Sequence, residues 1–419
     1  MLRMIGVDFG TTNTVVSMLR PDGSVETVRH RFGAAELDVV RSVLSLAAGD
    51  DPRRPLDHAV GPEAIERHLD DPHDTRLMMS LKSYLAQASF TETRVFGRPF
   101  SLEALITLFL RRVLPVAGER QKLVAGRPVR FVGERADDAL GERRLRGAYR
   151  LAGWEEVETA LEPEAAGWRF ARTLDRPATV LVGDFGGGTS DFSVMRFEPG
   201  SRRPAAALGH AGVGIAGDSL DYRIIDHVVS PLLGKGSQYS PAGQALPVPA
   251  EWFTSFARWH RLSLMAAPRT LRDIEEVMRS AEHPGRLASL LALLRGGLGY
   301  ELYRAVSGVK AALSAAPQAV LRFRHGGLRL EETIRREAFE AWIAPDLARL
   351  DATVEAALAD AGLPATDIDR VFLTGGTSLV PAVRRLFTDR FGAARVAGGG
   401  EFVSVAEGLA LIGRDRAGG

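Results

Sequence analysis

The feature that most constrains this chain is a repeat. Sliding the sequence by 176 positions carries Asp8 onto Asp184, Phe9 onto Phe185 and Gly10 onto Gly186 without a gap. Further along, Ser17 falls on Ser193 and Arg20 on Arg196. Both copies follow a short apolar run and lead into a second alternating segment, residues 15–19 in one and 192–197 in the other. Each therefore reads as strand, turn, strand: a β-hairpin with a polar tip. Self-similarity at so long an offset suggests two lobes built on one plan.

The second tip, DFGGGTSD, sets Gly186, Gly187 and Gly188 between two aspartates. Glycine lowers the steric cost of unusual backbone angles but packs nothing. A tight hairpin turn needs one or two glycines. Three of them leave a second reading open, in which bare backbone amides wrap a phosphate. A third stretch, VFLTGGTSLVPAVRRLF (371–387), runs a short strand into Gly375 and Gly376. An amphipathic helix follows, with Val383, Leu386 and Phe387 on one face. A plain strand-to-helix turn explains a lone pair of glycines; a flat ligand lying against the backbone is the alternative.

The remaining pattern is coarser. Residues 33–102 read as loops rich in Pro, Asp and Gly with short helical patches, and 101–117 as an apolar helix. Residues 134–152 read as an amphipathic helix with Leu140, Leu145, Ala148 and Leu151 inward. Residues 216–318 are mostly helical, interrupted at 231–249, and 337–362 form a helix ended by Gly362 and Pro364. This order of elements indicates an α/β protein with insertions. At 419 residues the chain exceeds the roughly 250–300 at which one core stops growing, so at least two domains are expected.

Charge and composition exclude several partners. With 53 basic and 52 acidic residues the net charge is +1, which gives no reason to expect nucleic acid or a membrane surface. The absence of cysteine excludes disulfides and thiolate metal sites. No signal-peptide pattern is visible, and no apolar run approaches the ~20 residues of a membrane span, so a cytoplasmic protein is expected. Only four of the basic residues are lysines: Lys82, Lys122, Lys235 and Lys310. Ammonium and guanidinium differ in shape and hydration, so each lysine is a position to examine.

Taken in order, these turns resemble those of the actin-like ATPase superfamily, and most closely the nucleotide-binding domain of the seventy-kilodalton heat-shock chaperone family, the DnaK type. IGVDFGTTNT (5–14) resembles its first phosphate loop and DFGGGTSD (184–191) its second. LEPEAAGWRFA (161–171) is similar to its connecting segment, GVGIAGDSLD (212–221) to the opening of its second insertion, and LTGGTSLVP (373–381) to its adenosine loop. PLLGKGSQYS followed by ALPVPAEWF (231–253), GRPVRF (126–131) and VAGGGEFVSVAEGLA (396–410) resemble one branch, the shortened YegD-like members. The resemblance implies two ribonuclease-H-like lobes with a nucleotide cleft between them. Lobe I would span 1–175 with an insertion at about 33–102, and lobe II 176–419 with an insertion at about 216–318.

It also implies ATP or ADP with Mg²⁺ as cofactors. The chain has no P-loop segment, so hairpin amides, a metal and a separate cation must hold the phosphates. Asp8 and Asp184 would face each other and carry Mg²⁺, an ion that keeps most of its waters and uses few protein oxygens. Gly10, Thr11, Thr12, Asn13, Gly186, Gly187, Gly188 and Thr189 would grip the phosphates. Lys82 stands where the family carries its catalytic lysine, and Glu162 and Asp191 are the candidates for positioning or activating the attacking water, with Thr189 beside them. Taken alone, Lys82 reads equally as a solvated surface lysine and Glu162 as a cap on a helix starting at Pro163. Gly217, Lys310, Ser314, Gly375, Gly376 and Thr377 would contact the nucleoside.

The sequence departs from the family at the base. Two arginines that sandwich adenine are replaced by Ala311 and Leu379, and the usual glutamate of the same lid helix is Ser307. Losing a guanidinium plane removes about 0.5–2 kcal/mol of cation–π attraction per contact. The expectation is weaker ATP binding with less discrimination for the base. The chain stops where the family continues into a peptide-binding domain, so a chaperone-like ATPase without that clamp is expected, with slow hydrolysis and a protein client or co-chaperone as partner. The alternatives are a nucleotide-gated interaction module with little turnover, a small-molecule kinase of the sugar or acetate type and, last, an actin-like filament.

Overall fold

The computed structural model describes residues 3–49, 54–72, 74–118, 121–133, 135–171, 174–199, 205–254, 256, 266–325, 327–398 and 404–417. The chain divides into two compact units: residues 1–216 with 348–419, and residues 217–347.

The first unit holds two sheets of the same plan. In the first, strands β1 (Arg3–Phe9), β2 (Asn13–Leu19) and β3 (Val25–Thr27) are joined by β4 (Val40–Arg41), β5 (Gln121–Arg127) and β6 (Val157–Leu161). The order is β6-β5-β1-β2-β3, with β4 also pairing to β2. The second sheet contains β7 (Ala178–Phe185), β8 (Ser190–Phe197), β9 (Ala205–Val213), β10 (Arg370–Thr374) and β11 (Val396–Gly398). Its order is β9-β8-β7-β10-β11. In both, the central strand pairs antiparallel with the next strand in sequence and parallel with the strand on its other side.

The repeat survives at the level of individual pairs. Asp8 opposes Val15 in the first hairpin, and Asp184 opposes Asp191 in the second. Ile5 opposes Met18, and Leu181 opposes Val194. One shift of 176 positions thus relates both sequence and register. Because register fixes which face each side chain takes, the two hairpins place equivalent residues on equivalent faces. β1 and β7 are nearly continuous apolar runs, as expected of central strands covered on both sides.

Several local readings are refined. The helix expected over 101–117 is Leu102–Val113: Ser101 caps its start by accepting from Ala104 N–H, and it stops two residues before Pro115. The helix expected over 134–152 is Asp138–Leu151, capped by Asp137, and residue 134 lies outside the described residues. Its inward stripe is Gly141, Leu145, Ala148 and Tyr149. Leu151 is 53% exposed. The spacing 141, 145, 148, 149 is the true apolar face, and Leu151 stands two residues off it. Residues 33–102 contain a three-stranded antiparallel sheet, Asp57–Val60, Val43–Ala47 and Thr75–Met79, where loops were expected. Its strands are short and flanked by Gly, Pro and Asp, which hid them.

The long helix Arg336–Ala361 is followed by Gly362 at φ 66°, a left-handed stop. In the second unit, Gly217–Ile224, Pro268–Met278, Pro284–Arg295 and Gly299–Ala315 are helices, with an antiparallel hairpin Gln318–His325 and Leu328–Arg335. Part of the stretch 396–410 named above, residues 399–403, lies outside the described residues. Among the described residues no helix is long and apolar enough to cross a membrane.

Candidate functional site at the paired hairpin tips

The two tips are closed by the same backbone bond. Gly10 N–H donates to Asn13 O at 2.9 Å, and Gly186 N–H donates to Thr189 O at 2.9 Å. The tips also touch. A methyl group on Gly187 would stand 2.1 Å from Thr12 Oγ1, and one on Gly188 would stand 3.3 Å from Thr11 Oγ1 and 3.5 Å from Ser83 Oγ. Gly187 and Gly188 therefore serve a close approach of two loops from opposite halves of the repeat, beyond what a hairpin turn asks, while Gly186 faces only Thr189 of its own hairpin.

Around the tips, three carboxylates, Asp8, Glu162 and Asp184, act on one ammonium, and a fourth, Asp191, lies close to Glu162. Lys82 and Glu162 form a buried ion pair, with the residues 6% and 5% exposed. That excludes the solvated-surface reading of Lys82. Glu162 does open a helix, Glu162–Ala171, yet its carboxylate is turned onto Lys82. Lys82 sits in a short 3₁₀ turn, Leu81–Tyr84, entered through Ser80 in the left-handed region at φ 56°. Such a conformation is uncommon for a residue other than glycine, and this one sets the direction from which the lysine enters.

The electrostatics follow from burial. Asp8 is raised to about 7, first by desolvation and then by the Glu162 charge, with Lys82 pulling the other way. Asp184 is raised well above the ordinary carboxylate range by desolvation and by Glu162, Asp8 and Asp191. Asp191 is raised to about 7 by desolvation and by Glu162. Burial acts to lower the Lys82 pKa, but the charges of Glu162, Asp8 and Asp184 outweigh it and raise it. Asp8 and Asp184 keep part of their surface open to solvent while crowded by protein.

Asp191 is fixed from a third segment. Val129 N–H and Arg130 N–H donate to its Oδ1 at 2.8 and 3.3 Å. Both amides belong to the stretch GRPVRF (126–131), noted in the sequence for its resemblance alone. A methyl on Gly212 would lie 2.4 Å from the same oxygen. Tyr149 was missed as a site residue. Its hydroxyl is buried with no hydrogen-bond partner among the described residues, and its pKa is raised by desolvation and by the charges of Asp8 and Glu162.

The third glycine turn also reaches this region. Gly375 has φ 85°, and a methyl there would meet Phe185 O at 2.0 Å. Gly376–Leu379 is a 3₁₀ turn with Thr377 buried, and Leu379 is 50% exposed. Gly217, Lys310 and Ser314 lie together in the second unit. Lys310 Nζ donates to Gly217 O at 2.9 Å and pairs with Asp221 at 3.0 Å, while Ser314 Oγ donates to Lys310 O at 3.2 Å. Ala311 is exposed.

A family model described as Hsp70 protein matches residues 299–415. The chain is 26% identical over 408 residues to the chaperone protein HscA homolog of Bordetella petrii, covering 93% of this chain and 54% of that protein. It is 26% identical over 403 residues to the chaperone protein DnaK of Thermus thermophilus (94% and 57%) and over 398 residues to that of Thermotoga maritima (93% and 55%). The chain is similar to proteins of the Hsp70 family, in the family model over its C-terminal part and in those relatives over most of its length. Its paired sheets are those of the actin-like ATPase fold found in Hsp70 proteins. The chain spans about half the length of the curated relatives it matches.

The residues fit the groups that the Hsp70 family implies. Four buried or half-buried carboxylates against one ammonium leave a negative excess that a cation would relieve. Among the described residues no three of His, Asp and Glu converge to ligate an ion directly. Asp8 and Asp184 are the pair that would hold a Mg²⁺, an ion that keeps most of its waters.

Proposed function

We propose that this chain is a member of the Hsp70 family that binds an adenine nucleotide with Mg²⁺ at the paired tips and hydrolyses it slowly, as a chaperone-like ATPase that acts through closure of its two lobes. The lobes are taken as 1–175 and 176–419. The observation that carries the reading is the contact of two repeat-related tips beside Lys82, Glu162, Asp184 and Asp191.

Phosphoryl transfer to water needs positioning and charge neutralisation more than covalent chemistry. With the Gly10 and Gly186 amides closing the turns, backbone amides at residues 11–13 and 187–189 would hold the phosphate chain, and the hydroxyls of Thr11, Thr12 and Thr189 would add to them. Bound Mg²⁺ would neutralise phosphate charge. Lys82, held in place by Glu162, would offset charge on the terminal phosphate. Glu162 has an oxygen occupied by the ammonium and therefore acts as the lysine's positioner. Asp191, raised to about 7 and fixed by two amides, suits proton removal from the attacking water near neutral pH.

Turnover well under one per second is expected, against ~10 per second for a typical enzyme. The test is single-turnover hydrolysis with and without Mg²⁺, alongside Lys82→Ala. Phosphate release should fall sharply in the variant while nucleotide binding persists. A wild-type protein that binds but never turns over would instead be a nucleotide-gated module, and phosphate appearing on an added sugar or acid would make it a kinase. With Ala311 and Leu379 in place of stacking arginines, calorimetry should find ATP and GTP of similar, modest affinity; nanomolar binding with strong adenine preference would contradict this. Cytoplasmic location, a YegD-like lineage, and a client or co-chaperone partner belong to the same proposal.

A further inference from the structure

A second concave site lies in the first unit, at the end of the second sheet where β7 and β10 begin. It is a cavity of about 680 Å³ bordered by Phe170, Leu174, Asp175, Arg176, Pro177 and Ala178 on one side, with Asp369, Arg370 and Arg395 on the other. That volume falls in the range of small-molecule sites, roughly 300–1,000 Å³. None of these residues belongs to the hairpin-tip machinery.

Three guanidiniums border it, and none pairs with a carboxylate among the described residues. Arg370 donates to Ala394 O at 3.2 Å, and Arg395 donates to Thr366 O and Ile368 O at 3.2 and 2.9 Å. A carbonyl fixes the orientation of a guanidinium without cancelling its charge. Arg176 makes no hydrogen bond or ion pair among the described residues. Elsewhere arginines of this chain find acids, as in Arg20–Glu26, Arg223–Asp346 and Arg390–Asp351. Of the two carboxylates at the cavity, Asp369 is bound into the sheet: Thr179 N–H donates to its Oδ2 at 2.8 Å, and its own N–H donates to Thr179 O at 2.9 Å. The wall adds a flat apolar surface, because Phe170 stacks on Phe372 with ring centroids 4.8 Å apart.

We propose that this cavity binds a small organic oxyanion, a phosphate monoester or carboxylate carried on a flat apolar group. Two fixed guanidiniums and one without a partner supply planar donors matched to such an anion. The Phe170 ring and the prolyl and alanyl side chains cover the apolar part.

Titration calorimetry with phenyl phosphate and with phenylacetate tests this and separates the two sources. One saturable site is expected for at least one probe, weakened by added salt. Arg176→Ala and Arg370→Ala should each lower that affinity about tenfold, the loss of one charge-assisted bond. Lys82→Ala should leave it unchanged. If Arg370→Ala unfolds, Arg176→Ala decides, since that side chain holds no other group in place. No saturable binding of either probe overturns the proposal. So does an affinity indifferent to both arginines, or one lost in Lys82→Ala alone, which would put the probe at the hairpin tips.

Discussion

Lys82 stands between carboxylates that cannot all be ionised without it. Breaking a buried pair by removing one partner typically costs about 3–5 kcal/mol, because the other charge is stranded. Lys82→Ala should therefore lower stability by about that amount in urea unfolding, and Glu162→Gln added to it should restore part of the loss. A double variant no more stable than Lys82→Ala would deny the pairing. The acids also make a pH prediction. Asp191 titrates at about 7 folded against an ordinary value of 3.8. The folded state therefore binds more protons across that window, and stability falls as pH rises from about 4 to about 7. Nucleotide-free protein should show a declining Tm over this range, with a flatter profile in Asp191→Asn. A Tm that rises through the window in wild type would reverse the sign.

The hairpins were legible in the sequence because both copies keep apolar alternation and the same polar tip. The 176-residue shift relates their registers without giving either one, and the pairs Asp8–Val15 and Asp184–Asp191 correspond under it. Three things were not legible. The amides that hold Asp191 come from residues 129 and 130, a loop with no pattern of its own. Ser80 adopts a left-handed conformation that local propensity gives no reason to expect. Tyr149 takes the inward place assigned to Leu151, two residues away, since the spacing 145, 148, 151 matches a helical face nearly as well as 145, 148, 149. At this scale the close contact of the two tips predicts that Gly187→Ala, by crowding Thr12, costs about 1–3 kcal/mol. Adding Thr12→Ala should recover part of that stability. Equal loss in single and double variants would show that the loops do not press on each other there.

Across the whole molecule, sequence neighbours explain little of the packing in the first unit. The helix Ser404–Ala417 packs on β1, β2 and β5 and on the helix Glu162–Ala171, with Arg169 paired to Glu407. Gly6 of β1 has no room for a methyl, which would stand 2.1 Å from Ala406 O. Contacts between residues 400 positions apart leave no periodic trace, so the position of this helix had to come from the structure. If the tips bind nucleotide only in the folded state, ADP with Mg²⁺ at about 100 times Kd should add about 2.7 kcal/mol of stability. EDTA should remove most of it. The most direct measurement is a crystal structure with nucleotide and Mg²⁺. It should show the phosphate chain between residues 10–13 and 186–189, with the ion near Asp8 and Asp184. Nucleotide bound elsewhere, with Thr12 and Gly187 still in contact and no phosphate beside them, would contradict it.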